Sequence, residues 1–272
     1  MTQNLTIKKC FTIGYGDYPI ELFLYILQKT GIDTIIDVRS SPYSKYNFFF
    51  NRDNLEKILV KNQIDYRYMG DKIGGRYSNP SLFFPDGTVN YQKVQNTELF
   101  QEGISQVLSI ISSGKKIALM CAEKEPERCH RFALISKILQ LREVKVIHIR
   151  PEIKLQANED LEKELISSII VNKQARISSE PVNLVDSMYE KLNKKIAYKS
   201  KDYRIPFEEN TMLNNSDAVK PVHPVERNEK GVKDLPLVSE PGYASDLIVD
   251  ILPRSDSFTR KHLKKNVQQK LL

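Results

Sequence analysis

The first half of this sequence predicts an α/β domain whose mostly parallel sheet is covered by helices on both faces, a Rossmann-like arrangement. Strand-like and helix-like segments alternate from residue 9 to residue 150. The strand segments are continuous apolar runs, such as TIIDV (34–38) and KIALM (116–120), as strands buried on both faces require. Turn clusters containing Gly or Pro punctuate the alternation, as in βα units.

Taken in order, Lys9–Gly14 (KCFTIG) is an apolar strand running into the turn cluster GYGDYP. Ile20–Lys29 carries apolar residues at 20, 22, 23, 24, 26 and 27, which reads as a helix that Gly31 stops. Thr34–Val38 is a buried strand followed by the loop RSSPYSKYNFF. Arg52–Asn62 reads as a helix with Asp53 or Asn54 as its cap. Ile64–Met69 alternates as a strand does, and GDKIGGRYSNP follows as a Gly-rich loop. Asn90–Ser112 holds a long amphipathic helix with Phe100, Ile104, Val107, Leu108 and Ile111 on one face, ended by Gly114. Lys116–Met120 is a strand, Cys129–Leu141 a helix and Val144–Ile149 the last strand. Right-handed crossovers then bring the C-terminal ends of the strands to one edge, where open α/β sheets form their ligand crevice.

The texture changes after Pro151. Residues 157–173 and 185–199 each read as a helix, the second rich in lysine. The chain is polar and proline-bearing from 201 to 253. Residues 254–272 set six Lys and Arg against Asp256 alone. The expected organisation is an α/β domain over 1–150, a helical extension over 151–200, and a linker with a basic tail over 201–272. The tail reads as solvated, with nucleic-acid contact as the alternative.

The net charge of +7 suits an anionic partner such as a nucleotide or nucleic acid. The N-terminus lacks the apolar run of a signal peptide, and no segment reaches the roughly 18 apolar residues that span a bilayer. Three cysteines, Cys10, Cys121 and Cys129, do not make a disulfide framework. Together these place the protein in the cytoplasm, away from membranes, with free thiols.

Three segments that follow strands share the expected edge: Gly14-Tyr15-Gly16-Asp17, then Asp37 to Ser44 (DVRSSPYS), then Cys121 to Arg131 (CAEKEPERCHR). Cys121, ending a strand before a helix N-terminus and near Arg128 and Arg131, has the setting that favours a thiolate nucleophile. The spacing departs from the five-residue phosphatase signature, since six residues separate Cys121 from Arg128 and nine separate it from Arg131. Glu123, Glu125 and Glu127 would repel a phosphate unless they point away. His130, at a helix start, is expected neutral and suited to acid–base work or to capping its own loop. Asp37 and Glu123 are the candidate acid–base carboxylates. Arg39, Arg76 and Arg131 are the candidate anion grips, with Ser41 and Tyr15 beside them; the alternative for Arg39 is a buried pair with Asp37 or Glu123. No cofactor or metal is expected, because neither a dinucleotide fingerprint nor a P-loop lysine occurs. Zinc on Cys121, Cys129 and His130 is the lesser alternative, their Cys-x7-Cys-His spacing matching no standard zinc pattern.

The four motifs TIGYG, DVRSSPYS, GGR and CAEKEPERCHR, in this order over about residues 9–150, resemble the family known as domain of unknown function 488. The resemblance implies the α/β fold and no reaction, since the family is named for lacking one. The leading expectation is therefore an enzyme, or enzyme-derived domain, acting on a nucleotide or nucleic acid. The alternatives are a nucleic-acid-binding module without catalysis, or an adaptor that docks a protein partner through residues 151–272.

Overall fold

A computed structural model describes residues 7–172 and 184–200. The expected linker and basic tail over 201–272 lie outside the described residues.

The sheet has six strands: β1 (Lys9–Gly14), β2 (Thr34–Asp37), β3 (Asp65–Tyr68), β4 (Ile117–Cys121), β5 (Lys145–Ile149) and β6 (Leu155–Ala157). Their spatial order is β3-β2-β4-β1-β5-β6, parallel throughout except for β6, which runs antiparallel to β5. The four inner strands are the apolar runs, and in β2 and β4 every residue is buried. The edge strand β3 alternates exposed and half-buried residues, as one-sided cover demands.

Helices α1 (Ile20–Thr30) and α2 (Arg52–Lys61) cover one face, where Phe23, Leu27, Leu55 and Leu59 meet Ile13, Ile35 and Met120. The other face carries α3 (Gly70–Ile73), α4 (Tyr91–Val94) and α5 (Glu98–Ser112), with Phe100, Ile104 and Val107 against Ile36 and Leu119. A π-helical turn over Arg131–Ser136, continuing as α6 (Lys137–Leu141), packs on that second face as well. Gly31 ends α1 at φ 64°, a left-handed conformation that glycine adopts without strain.

The structure differs from the sequence-based expectation in local ways. The long amphipathic helix expected within 90–112 is α5, and the short α4 precedes it because Asn90 and Thr97 each cap a separate start with a side-chain oxygen. The N-cap position of α2 is Asn51, two or three residues before the expected Asp53 or Asn54, and its side chain accepts from the Ser44 backbone N–H rather than capping the helix. The helix expected from Cys129 begins at Arg131 and is wound with the wider π pitch, where the Ser136 hydroxyl donates to the Arg131 carbonyl at 2.6 Å.

Two further helices, α7 (Asn158–Asn172) and α8 (Leu184–Ile196), lie against the α/β domain. Leu161, Met188 and Tyr189 pack on Phe132. The buried Asn193 ties α8 down by donating to the Val89 carbonyl at 2.7 Å and accepting from the Tyr91 N–H at 2.8 Å. Among the described residues no helix is long and apolar enough to cross a membrane.

The chain leaves β1 and β2 toward the face of α1 and α2, and leaves the neighbouring β4 toward the opposite face. Adjacent strands whose exits part in this way open a crevice at their C-terminal ends. Gly14, Asp37 and Cys121 are the last residues of these three strands.

Candidate functional site at the strand ends

Pairing continues past the strand ends and holds the three loops side by side. Tyr15 and Gly16 donate to the carbonyls of Cys121 and Ala122 at 3.1 and 2.9 Å, and Val38 donates to Met120 at 3.1 Å. Glycine lets the loops close over one another. A Cβ on Gly14 would stand 1.9 Å from the Glu123 carbonyl oxygen and 2.6 Å from Arg131 Nη1. A Cβ on Gly75 would stand 3.0 Å from the His130 ring, so the GGR loop lies on the imidazole.

Asp37 and Arg39 face each other, as their i, i+2 spacing along a strand allows. The guanidinium donates through Nε at 2.9 Å and Nη2 at 2.6 Å to the two carboxylate oxygens, and Nη1 donates to the Tyr15 hydroxyl at 3.1 Å. Asp37 also accepts from Tyr66 at 2.7 Å and from the Arg39 backbone N–H at 3.1 Å. Asp37 is fully buried and Arg39 is 5% exposed. Burial opposes the Arg39 charge, and Asp37 more than offsets it, so its pKa is raised. Of the two expectations for Arg39, the buried pair with Asp37 is the arrangement present. Tyr15 is part of this interior, stacked on Phe50 with centroids 4.0 Å apart.

Cys121, Cys129 and His130 form a second cluster, all three buried. Their donor atoms lie within 4.8 Å of one another, and His130 Nδ1 stands 3.6 Å from Cys129 Sγ and 4.0 Å from Cys121 Sγ. The other ring nitrogen lies 2.9 Å from the Val38 carbonyl oxygen. A carbonyl only accepts, so Nε2 carries a proton toward Val38, and the ring presents Nδ1 to the two sulfurs. The Cys121 thiol is pulled well below its ordinary pKa by Cys129, then by His130 and Arg131, against the opposing effect of burial. Burial and the neighbouring Cys121 push Cys129 the other way. Sequence reasoning left Cys129 off the catalytic set; its place beside His130 in CHR was the available signal.

Arg131 is 1% exposed. Its Nη2 donates to the Lys124 carbonyl at 2.8 Å, while Nε and Nη1 have no hydrogen-bond partner among the described residues. The glutamates of the loop do not approach it as ion-pair partners: Glu125 and Glu127 pair with Arg150, and Glu123 is exposed. Arg76 is exposed, with its guanidinium 5.3 Å from the centroid of the Tyr198 ring and its backbone N–H on Ser40 Oγ at 2.9 Å. Ser41 is exposed at the rim. The expected residues thus divide into a closed Asp37–Arg39–Tyr15 interior, a Cys121–His130 cluster with Arg131 nearby, and Glu123, Ser41 and Arg76 at the surface.

An open, mostly parallel α/β sheet with thiols, imidazole and a buried guanidinium at its strand ends defines the class of this domain. Residues 19–138 match the family model described as Domain of unknown function DUF488. The matched span takes in the DVRSSPYS, GGR and CAEKEPERCHR motifs, and TIGYG precedes it. No curated protein and no solved structure matches the sequence.

Proposed function

We propose that this domain is an enzyme, or derives from one, acting on a phosphate-bearing substrate, a nucleotide or nucleic acid, at the ends of β1, β2 and β4. Arg131 carries this reading. An arginine removed from water without a carboxylate partner is costly, and an anion arriving beside Nε and Nη1 removes that cost. Cys121 and His130 supply the reactive groups there, and the Asp37–Arg39 pair holds the loop that frames them. Tying Glu125 and Glu127 to Arg150 draws two negative charges away from an incoming phosphate. Three buried free cysteines suit a reducing cytoplasm.

The test is binding and turnover of nucleoside mono-, di- and triphosphates and of short oligonucleotides by the full chain and by Arg131→Met. The reading expects the variant to bind at least about tenfold more weakly, the loss of one charged hydrogen-bond partner. Equal binding by the variant refutes it. The net charge of +7 favours the second reading, a nucleic-acid module without catalysis. That reading expects steep salt dependence, loss of binding on deleting 201–272, and no effect of Arg131→Met.

A further inference from the structure

We infer that Cys121, Cys129 and His130 form a three-ligand centre for a divalent, zinc-type metal ion, with the fourth position left to a water-derived oxygen or a substrate atom. The inference uses the same cluster as the enzyme reading but requires no particular substrate.

The spacing of the donor atoms carries it. With Zn–S near 2.3 Å and Zn–N near 2.0–2.1 Å, tetrahedral angles put sulfur and nitrogen about 3.6 Å apart. The two sulfur–nitrogen separations here are 3.6 and 4.0 Å and all three donor atoms lie within 4.8 Å of one another, so one ion reaches them all after shifts of at most about 1 Å. Two soft thiolates and one imidazole are a donor set that selects zinc over magnesium or calcium.

The orientation of the ring is the second, independent observation. A ligating histidine generally donates its other N–H to a carbonyl or carboxylate, which fixes the tautomer and aims the lone pair. His130 does this toward Val38, and Val38 lies between Asp37 and Arg39, which are locked to each other. Gly75 lies against the ring and restricts its rotation. Without a metal this arrangement aims a basic nitrogen at two thiols, an elaborate way to fill a core.

Unfamiliar spacing is no obstacle, because the ligands do not come from one flexible loop. Cys121 is fixed at the end of β4, and Cys129 and His130 are fixed at the start of the 131–141 helix. Among the described residues no other Cys, His, Asp or Glu joins the cluster. Three protein ligands with one position free is the pattern of catalytic rather than structural zinc sites. Cys121 and His130 keep 7% and 9% exposure against 2% for Cys129, so the free position faces out past those two. The ion takes both cysteines as thiolates, and their two negative charges balance its own. The bound ion supplies a water of lowered pKa.

The experiment measures metal in the untagged full chain, purified under reducing conditions, and follows cobalt(II) substitution by absorption. About one zinc per chain, and a thiolate-to-cobalt charge-transfer band in the wild type, are expected for this donor set. Cys10→Ala, which removes the third thiol far from the cluster, keeps both signals. Cys129→Ala and His130→Ala lose most of the metal, and Cys129→Ala loses at least about half of the band, since one of two thiolates is gone. The wild-type cobalt spectrum stands even if a variant fails to fold. A chain that takes up neither zinc nor cobalt, or whose cobalt lacks thiolate bands, overturns the inference. So does a Cys121–Cys129 disulfide as the resting state. Arg131→Met separates the two readings. A metal-free wild type that still needs Arg131 for nucleotide overturns the centre and leaves the enzyme reading standing. A zinc-loaded chain that ignores nucleotide does the reverse.

Discussion

His130 donates its Nε2 proton to the carbonyl oxygen of Val38 across 2.9 Å, and this bond joins the thiol cluster to the loop that follows β2. Asp37 and Arg39, on either side of Val38, close a two-bonded ion pair in the interior. The pair holds the carbonyl, the carbonyl holds the ring, and the ring faces the thiols.

Breaking that pair from one side leaves a buried charge alone. Arg39→Ala is expected to lower stability by about 3–5 kcal/mol, the usual cost of orphaning one member of a buried ion pair. The double variant Asp37→Leu with Arg39→Met is expected to cost less than Arg39→Ala, because no charge remains inside. Urea denaturation of the variants decides it. A drop below about 1 kcal/mol for Arg39→Ala, within the range of an exposed ion pair, means the pair does not hold the loop.

Gly14→Ala tests how closely the β1 and β4 loops approach. The added Cβ meets the Glu123 carbonyl oxygen at 1.9 Å, and backbone cannot rotate aside as a side chain can. The 123–125 segment must move, at a cost of at least about 1–3 kcal/mol, the range of overpacked positions. Gly114→Ala is the comparison, because its Cβ has open space but sits at φ 85° and pays only in backbone strain. Equal and small losses at the two positions contradict the close approach of the loops.

His148 predicts a pH dependence. The ring is buried between the Thr12 hydroxyl at 2.8 Å and Asn158 Oδ1 at 3.0 Å. Burial, then the charge of Arg131, push its pKa down from 6.5 to about 3, with Arg150 adding to the effect. A depressed folded-state value means the unfolded chain binds the proton first. The contribution is therefore complete above pH 6.5 and is lost as pH falls toward 3, at up to about 1.4 kcal/mol per pH unit. Stability measured by denaturant between pH 7 and pH 4, about the span of that loss, is expected to fall less steeply in His148→Gln than in the wild type. Parallel profiles would assign the acid sensitivity to other groups.

The sheet was legible because β1, β2, β4 and β5 are mostly apolar rather than alternating, a local property that burial on both faces imposes. The three-residue β6 was not, since LQA carries no strand signal and pairs only because β5 offers an open edge. At the site, the convergence of Gly14, Asp37 and Cys121 followed from parallel topology. Whether Arg39 faces a ligand or Asp37 did not, because the i, i+2 spacing serves both. The Cys121–Cys129–His130 triangle depends on how the 122–128 loop folds back, and that is set by Arg150 holding Glu125 and Glu127 and by Gly14 admitting Glu123.

Arg131 yields a prediction of unusual sign. Most truncations of a fully buried side chain destabilise, but this one removes two unsatisfied donor nitrogens and an uncompensated charge. Unmet buried donors cost about 1–3 kcal/mol each, and methionine fills similar apolar space without them. In phosphate-free buffer Arg131→Met is therefore expected to match or exceed the wild type in stability. Saturating nucleotide should reverse the order, because a ligand at 100 times its dissociation constant adds about 2.7 kcal/mol to the protein that binds it and nothing to one that does not. Melting temperatures of both proteins with and without nucleotide give the four values needed. A variant that is already several degrees less stable without ligand would show that Arg131 is satisfied within the fold, and the anion would have no claim on it.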